Sequence, residues 1–502
     1  MIAFVQFDSA SVALLEQLAD EGRLPVLAEL RARGRWQPLE APDAELAASV
    51  YHSLYSGLDA GDHGLYQAFQ WRPAEQRIRF INRITKPETV WERVSRAGGK
   101  VLAVDPFVHW PPSTLNGVAL SGWQFSNRMI LQRWSRPASE LPRLSRSFGR
   151  PPRLEETLGQ SSVQRLLALT RNLEAAPARA AAAVEDLLGR EHFDLVWVTL
   201  APAHFAGHWL WDPARLFEGR LDAATRGELE RALPAIYAAV DAAVGRILAA
   251  LPPGADTIVL SPTGIGVNTS RGDLLPAMVR AVLDGRAAAA ANGTRASALW
   301  RVRGAVPASA RNAFSQAMPA AVNRELLSRL HLRGIDWSTT RAFVLPGDTS
   351  GLVRVNLQGR ERDGIVDPAG AGALLDELEA GLATFADPDG SPAVSGFDRP
   401  AELWPGGKWV DDLPDLVVHW SDRPSHGIGR LTSPRFGEVS RAGVGTGWPG
   451  NHRDEAWALL LPASARVREP GRPPQLVDLA ATACTLTGAD ATGLAGEPLL
   501  AR

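Results

Sequence analysis

The sequence predicts an α/β protein: an open, mostly parallel sheet with helices on both faces. Three observations carry that reading. Short apolar runs of strand length recur at 2–7, 100–105, 194–200, 256–261, 352–357, 415–420 and 456–462. Stretches with helical spacing fill the intervals, at 87–98, 162–190, 225–251, 272–285, 370–386 and 475–487. Residues able to do chemistry (Asp8, His204 and the SPTG run at 261–264) each fall just after an apolar run. The carboxyl edge of the strands is where open α/β sheets hold their ligands.

The elements follow in order. IAFVQF reads as a buried parallel strand ending at Asp8. SVALLEQLADEGRLPVLAELRARG then has the Leu and Ala spacing of a helix, closed by Gly34. Two segments break the alternation. Residues 124–160 are rich in Arg, Ser and Pro and lack a period, so they are expected as an irregular insertion. Residues 267–340 are Ala-rich and helical and are expected as an inserted cap, leaving 1–266 and 341–502 as the core.

Composition narrows the function. The chain has 502 residues, 45% hydrophobic and 22% charged, enough for a large core. Lys and Arg total 53 against 55 Asp and Glu, a near balance that provides no field to recruit nucleic acid or an anionic membrane. The single cysteine, Cys484, lies in an apolar run and reads as a core residue, which rules out internal disulfides and thiolate metal clusters. MIAFVQFDSA has neither a basic n-region nor a small-residue cleavage site, and no uninterrupted apolar stretch of about 18 residues stands out. The expectation is a cytoplasmic protein acting on a small molecule, with no nucleic-acid or membrane partner and its oligomeric state left open.

The chemistry centres on APAHFAGHWLW at 201–211. His204 and His208 are four apart, so on a helix both imidazoles share one face and can chelate a metal. A third ligand must come from elsewhere, and GNHRDEAWALLLP offers His452, in a Gly-rich loop just before a strand.

With these residues in view, the chain resembles the alkaline phosphatase superfamily, in its type I phosphodiesterase/nucleotide pyrophosphatase-like branch. DSASVALLEQLADEGRLPVLAELRARG followed by YHSLYSGLDAGDHG carries the resemblance, with VWERVSRAGGKVLAVD, IDWSTTRAFVLPGDTSGLVRVNLQG, GNHRDEAWALLLP and LVDLAATACTLTGAD in order behind it. It implies a three-layer α/β/α sandwich and hydrolysis of phosphoesters by two metals, usually zinc, with a Thr or Ser nucleophile. One metal's ligands would map to His204, His208 and His452, with His replacing Asp at the first. The other metal's ligands would map to Asp8, which is present, and to Pro262 and Thr263, which are not ligands of the expected kind. The nucleophile position falls on Ala47, with Ser49 and Ser53 nearby; His63 and Gly64 match a structural turn.

The expectation is therefore one divalent metal, zinc first and iron or manganese as alternatives, on three histidines, with Asp8 as a further ligand or as the group that orients or deprotonates water. The substrate would be a phosphoester or related ester with an anionic group. Two other readings stay open: a catalytically inactive pseudoenzyme that binds a phosphorylated ligand or partner, and a redox-metal enzyme. Thr263, His109 and Trp209 are the substrate-contact candidates. Trp71, Trp110, Trp123, Trp209, Trp211 and Trp448 are either a cleft wall or core packing. Arg354, Arg360 and Arg362 are read as a solvated loop ahead of an anion site.

Overall fold

The protein is described by a computed structural model covering all residues except 47, 82–83, 85, 108–110, 127–130, 155–161, 218–220, 287–318, 320–321, 323–324, 327, 329–334 and 442–447. An eight-stranded sheet organises it, in the order Arg35–Leu39, Ala456–Leu461, Asp256–Ser261, Ile2–Phe7, Leu195–Leu200, Val101–Val104, Gly117–Ser121 and Trp134–Arg136. From Asp256–Ser261 through Gly117–Ser121 the neighbours are parallel, and antiparallel strands close both edges. The central strands are buried along their full length, which is why they read as apolar runs and not as alternating patterns.

Helices form two packing groups. Pro25–Arg33, Val163–Leu188, Pro202–Leu210 and Ala223–Ala250 contact one another in one group, and Ser49–Ser56, Val90–Arg96 and Asp478–Thr487 in the other. This is the expected α/β/α sandwich. One helix, Ala223–Ala250, is long and apolar enough to cross a membrane by length and composition, a segment the sequence reading did not single out. Its buried face includes Leu229, Leu233, Ile236, Tyr237, Val240 and Ile247. Asp241 on the same face accepts hydrogen bonds from the Val26 and Leu27 amides at 3.1 and 2.8 Å, capping the start of Pro25–Arg33. These contacts are those of a core helix.

Three expectations about elements change. The stretch closed by Gly34 is two helices, Val12–Asp20 and Pro25–Arg33, because Gly22 takes a left-handed φ of 70° and Pro25 starts a new helix at its first turn. The insertion at 124–160 is not wholly irregular. It holds the edge strand Trp134–Arg136 and the helix Glu140–Phe148, whose one buried residue, Leu144, leaves no apolar period to read. The runs at 352–357 and 415–420 do not join the central sheet. Ala342–Leu345, Gly351–Val355, Leu416–Trp420 and Val394–Asp398 form a separate antiparallel sheet, packed with the helices Leu275–Asp284 and Ala371–Leu382 around their own core. Apolar runs mark strands but do not say which sheet they join. Most of the Ala-rich middle of 267–340 lies outside the described residues.

Candidate metal centre

The first strand ends at Phe7 and delivers Asp8, fully buried, to the carboxyl edge of the sheet. Its neighbour Leu195–Leu200 ends one residue before the Pro202–Leu210 helix, which starts on a proline and carries His204 and His208 one turn apart. Across from them runs an antiparallel hairpin, Gly264–Val267 with Gly450–Arg453, in which Ile265 pairs with His452. Two glycines let hairpin and helix touch. A Cβ on Gly207 would lie 2.4 Å from Ile265 Cδ1, and one on Gly450 would lie 2.1 Å from the Gly207 carbonyl oxygen. His452 thereby meets the helical pair, and the ligating nitrogens of His204, His208 and His452 all lie within 4.8 Å of one another.

Each imidazole is anchored through Nδ1. His204 Nδ1 sits 2.8 Å from Asp8 Oδ2, His208 Nδ1 is 3.0 Å from the Gly450 carbonyl oxygen, and His452 Nδ1 is 3.3 Å from Ser9 Oγ. A carbonyl and a carboxylate accept, so Nδ1 of His204 and of His208 donates, and each ring turns its Nε2 inward. These two Nε2 atoms face each other at 3.0 Å. Nitrogens at that separation need a proton or a metal cation between their lone pairs. The distance is near the edge of a tetrahedral zinc site with Zn–N bonds of about 2.0–2.1 Å. Burial pushes His208 down to about 3, with His204 adding to the effect. His452 lies well below its ordinary value for the same first reason. Both therefore stay neutral, the form that binds metal. The donor set fits one divalent cation.

Asp8 is not a fourth member of this group. While Oδ2 holds His204, Oδ1 accepts from the Tyr51 hydroxyl at 2.8 Å and the Gln6 amide at 3.3 Å. It orients a ligand, the arrangement that fixes tautomers in histidine metal sites. Aromatic rings pack around the trio: Phe107 and Phe205 lie 4.9 and 5.1 Å from His204, and Trp448 lies 4.6 Å from His208. Trp209 reaches the site only through Trp448, at 6.2 Å.

The other expected metal position is built differently. Pro262 and Thr263 lie where strand Asp256–Ser261 runs out, and the Thr263 hydroxyl donates to the Arg453 carbonyl at 2.7 Å, tying the hairpin. Ala47 lies outside the described residues. Ser49 and Ser53, from the Ser49–Ser56 helix, both donate to Asp43 Oδ2 at 2.6 Å. Ser53 Oγ also lies 3.0 Å from His63 Nε2, while His63 Nδ1 accepts from the Leu65 amide. His63 is thus the inward hydrogen-bonder that its turn position implied, kept neutral by burial.

Other candidates separate cleanly. Trp71 and Trp123 are fully buried, Trp71 against Glu361 and Phe343 in the second lobe, so neither lines this site. Arg354 and Arg360 are not a solvated loop either. Arg354 is fully buried on Glu361, and Arg360 grips Asp415; Arg362 is exposed beside Asp363. His109 and Trp110 lie outside the described residues. Cys484 is buried, as expected. The sequence reading missed Ser9, Tyr51 and Phe107. Ser9 had one signal, its position directly after Asp8.

Comparison with known proteins agrees with this fold. Residues 2–332 match the family described as type I phosphodiesterase/nucleotide pyrophosphatase. Phosphonoacetate hydrolase from Sinorhizobium meliloti 1021, solved with phosphonoacetate and with phosphonoformate, is similar in structure. TM-scores are 0.52 and 0.51 at 13% identity, with 97% of this chain and 95% of that one covered. Murine ectonucleotide pyrophosphatase/phosphodiesterase 5 in complex with AMP aligns over 99% of this chain and 97% of its own, with a TM-score of 0.47 and 11% identity. No curated protein matches. The chain belongs to the type I phosphodiesterase/nucleotide pyrophosphatase family, within the alkaline phosphatase superfamily.

Proposed function

We propose that this chain is a hydrolase of a small anionic ester, a phosphoester or a close relative, working through one divalent cation on His204, His208 and His452. One observation carries the reading: three imidazoles converge, two of them with Nε2 atoms that face each other at 3.0 Å. A divalent cation held there supplies a Lewis acid for an ester oxygen and brings the acidity of water toward neutrality. Zinc suits three nitrogen donors best, with iron or manganese as alternatives. The residues contribute the rest. Neutral ligands leave the full positive charge of the site available to an anionic substrate. Asp8, with both oxygens engaged, holds His204 in place and leaves the proton transfer to water. Ser49 and Ser53 are tied to Asp43, so water is the nucleophile this reading requires. A fold shared with a protein captured with phosphonoacetate makes small phosphonates a class to assay beside phosphodiesters, phosphomonoesters and sulfate esters.

The inward-turned hydroxyls of Ser49, Ser53 and Thr263 favour a second reading, a binding protein without turnover. Chelator-free purification followed by elemental analysis is expected to give about one divalent cation per chain, as one closed site takes. Turnover of some substrate in that panel is expected to survive Ser49→Ala and to vanish in His452→Ala. Two cations per chain, or turnover that persists in His452→Ala, overturns the proposal. Ligand binding indifferent to metal removal, with no turnover, decides for the binding protein.

A further inference from the structure

The hydrogen bonds around Asp8 form a directed chain that reaches two of the three histidines. His204 Nδ1 lies 2.8 Å from Asp8 Oδ2, and the Tyr51 hydroxyl donates to Asp8 Oδ1 at 2.8 Å. Tyr51 is 2% exposed and has a single proton, which that bond uses. Ser9 Oγ, 3.3 Å from the Tyr51 oxygen, must then be the donor between them. With its own proton spent on Tyr51, Ser9 Oγ has only lone pairs for His452 Nδ1, 3.3 Å away. That assigns the Nδ1 proton to His452 and leaves its Nε2 bare.

From this we infer that Tyr51 is a positioning residue, through which the one carboxylate of Asp8 sets the tautomers of both His204 and His452. The assignment rests on the three-histidine reading above but concerns a residue that touches neither cation nor substrate. The geometry has a further sign of constraint. Ser9 holds a left-handed φ of 53°, uncommon outside glycine, and that conformation is found together with the bonds to Tyr51 and His452. Burial and the Asp8 charge push the Tyr51 phenol well above its ordinary range, so it remains a donor throughout the working pH range. Without the phenol proton, Ser9 is free to turn its hydroxyl toward His452 Nδ1. His452 then takes the Nε2–H form, and that nitrogen is lost to a metal.

The test is Tyr51→Phe in the full-length chain, with two readouts. Nitrogen-15 correlation spectra of the metal-free protein report which ring nitrogen of His452 is protonated. Wild type is expected to have the Nδ1–H tautomer, and Tyr51→Phe a mixture or the Nε2–H form. Zinc and cobalt(II) titrations are expected to weaken by about 10- to 100-fold in the variant, the usual cost of losing an outer partner of a metal ligand. Ser9→Ala, which removes the same relay one step later and keeps the ring, is expected to behave alike. An unchanged His452 tautomer in Tyr51→Phe overturns the assignment, as does unchanged affinity in a wild type that binds metal. A wild type that binds no metal overturns the three-histidine function instead. The tautomer comparison still decides on Tyr51 in that case. A drop in melting temperature alone, with tautomer and affinity intact, marks the hydroxyl as structural and also overturns the assignment.

Discussion

The two halves of the site, set a few residues apart along the same sheet edge, have opposite construction. In the histidine half, side chains point their anchored nitrogens outward to Asp8, Gly450 and Ser9 and their bare nitrogens toward one another. In the half around Thr263, Ser49 and Ser53, each hydroxyl donates to a neighbouring carbonyl or carboxylate. One half stores unmet electron-pair donation; the other has spent its polar groups on itself. A buried polar group without a partner costs stability unless a ligand satisfies it. The contrast therefore says where a ligand belongs without reference to any relative.

Breaking the histidine half should give the largest effect. His208→Ala is expected to lower cation affinity by more than about 100-fold, beyond the loss of an outer partner. Calorimetry with zinc checks this. In wild type, zinc at about 100 times its dissociation constant should add about 2.7 kcal/mol to stability, a gain the variant lacks. A variant that binds zinc as well as wild type would place the cation elsewhere.

The second effect sharpens the other half, where His63 is pinned neutral beside Ser53. Burial takes His63 from 6.5 down to about 3 in the folded state. The unfolded chain therefore binds more protons between those values, and stability falls as pH drops through that window. At pH 5 the loss from this one group is about 2 kcal/mol relative to neutral pH. Urea unfolding of metal-free wild type and His63→Gln at both pH values reads it: the variant's pH slope should be shallower by that amount. Equal slopes would mean that His63 is protonated in the folded protein.

The smallest effect concerns Thr263. Thr263→Val removes one hydroxyl-to-carbonyl bond and is expected to cost about 1 kcal/mol of stability, with turnover and metal content unchanged. Loss of turnover in a folded variant would show that the spent half is still engaged in chemistry, and the contrast would fail.

The strands and the histidine pair were legible in the sequence because each is a local pattern. Fully buried parallel strands leave continuous apolar runs, and an i, i+4 pair needs only a helix to share a face. His452 was found as a ligand-type residue in a loop, but its partner strand, the hairpin with Gly264–Val267, had no local mark. Tyr51 and Ser9 were not found, since their role exists only once strand, helix and hairpin meet. Asp8 was found, but not its hydrogen bonds to His204, Tyr51 and Gln6. Sequence can supply a carboxylate at a strand end but not the direction in which its oxygens point. The runs at 352–357 and 415–420 were found as strands but expected in the central sheet, because residue order does not say which sheet a strand joins.

The Gly207–Gly450 contact has a consequence for how the molecule holds itself together. His208 and Gly450 are 242 residues apart, and glycine at 207 and at 450 lets helix and hairpin approach this closely. A cation gripping the helix and the hairpin at that point would act as a reversible cross-link between segments far apart in the chain. It removes conformational freedom from the open chain much as a disulfide does, in a protein with a single cysteine. Loading the site would then rigidify the hairpin against the helix, and stripping it would leave the two joined by the His208–Gly450 hydrogen bond and by packing.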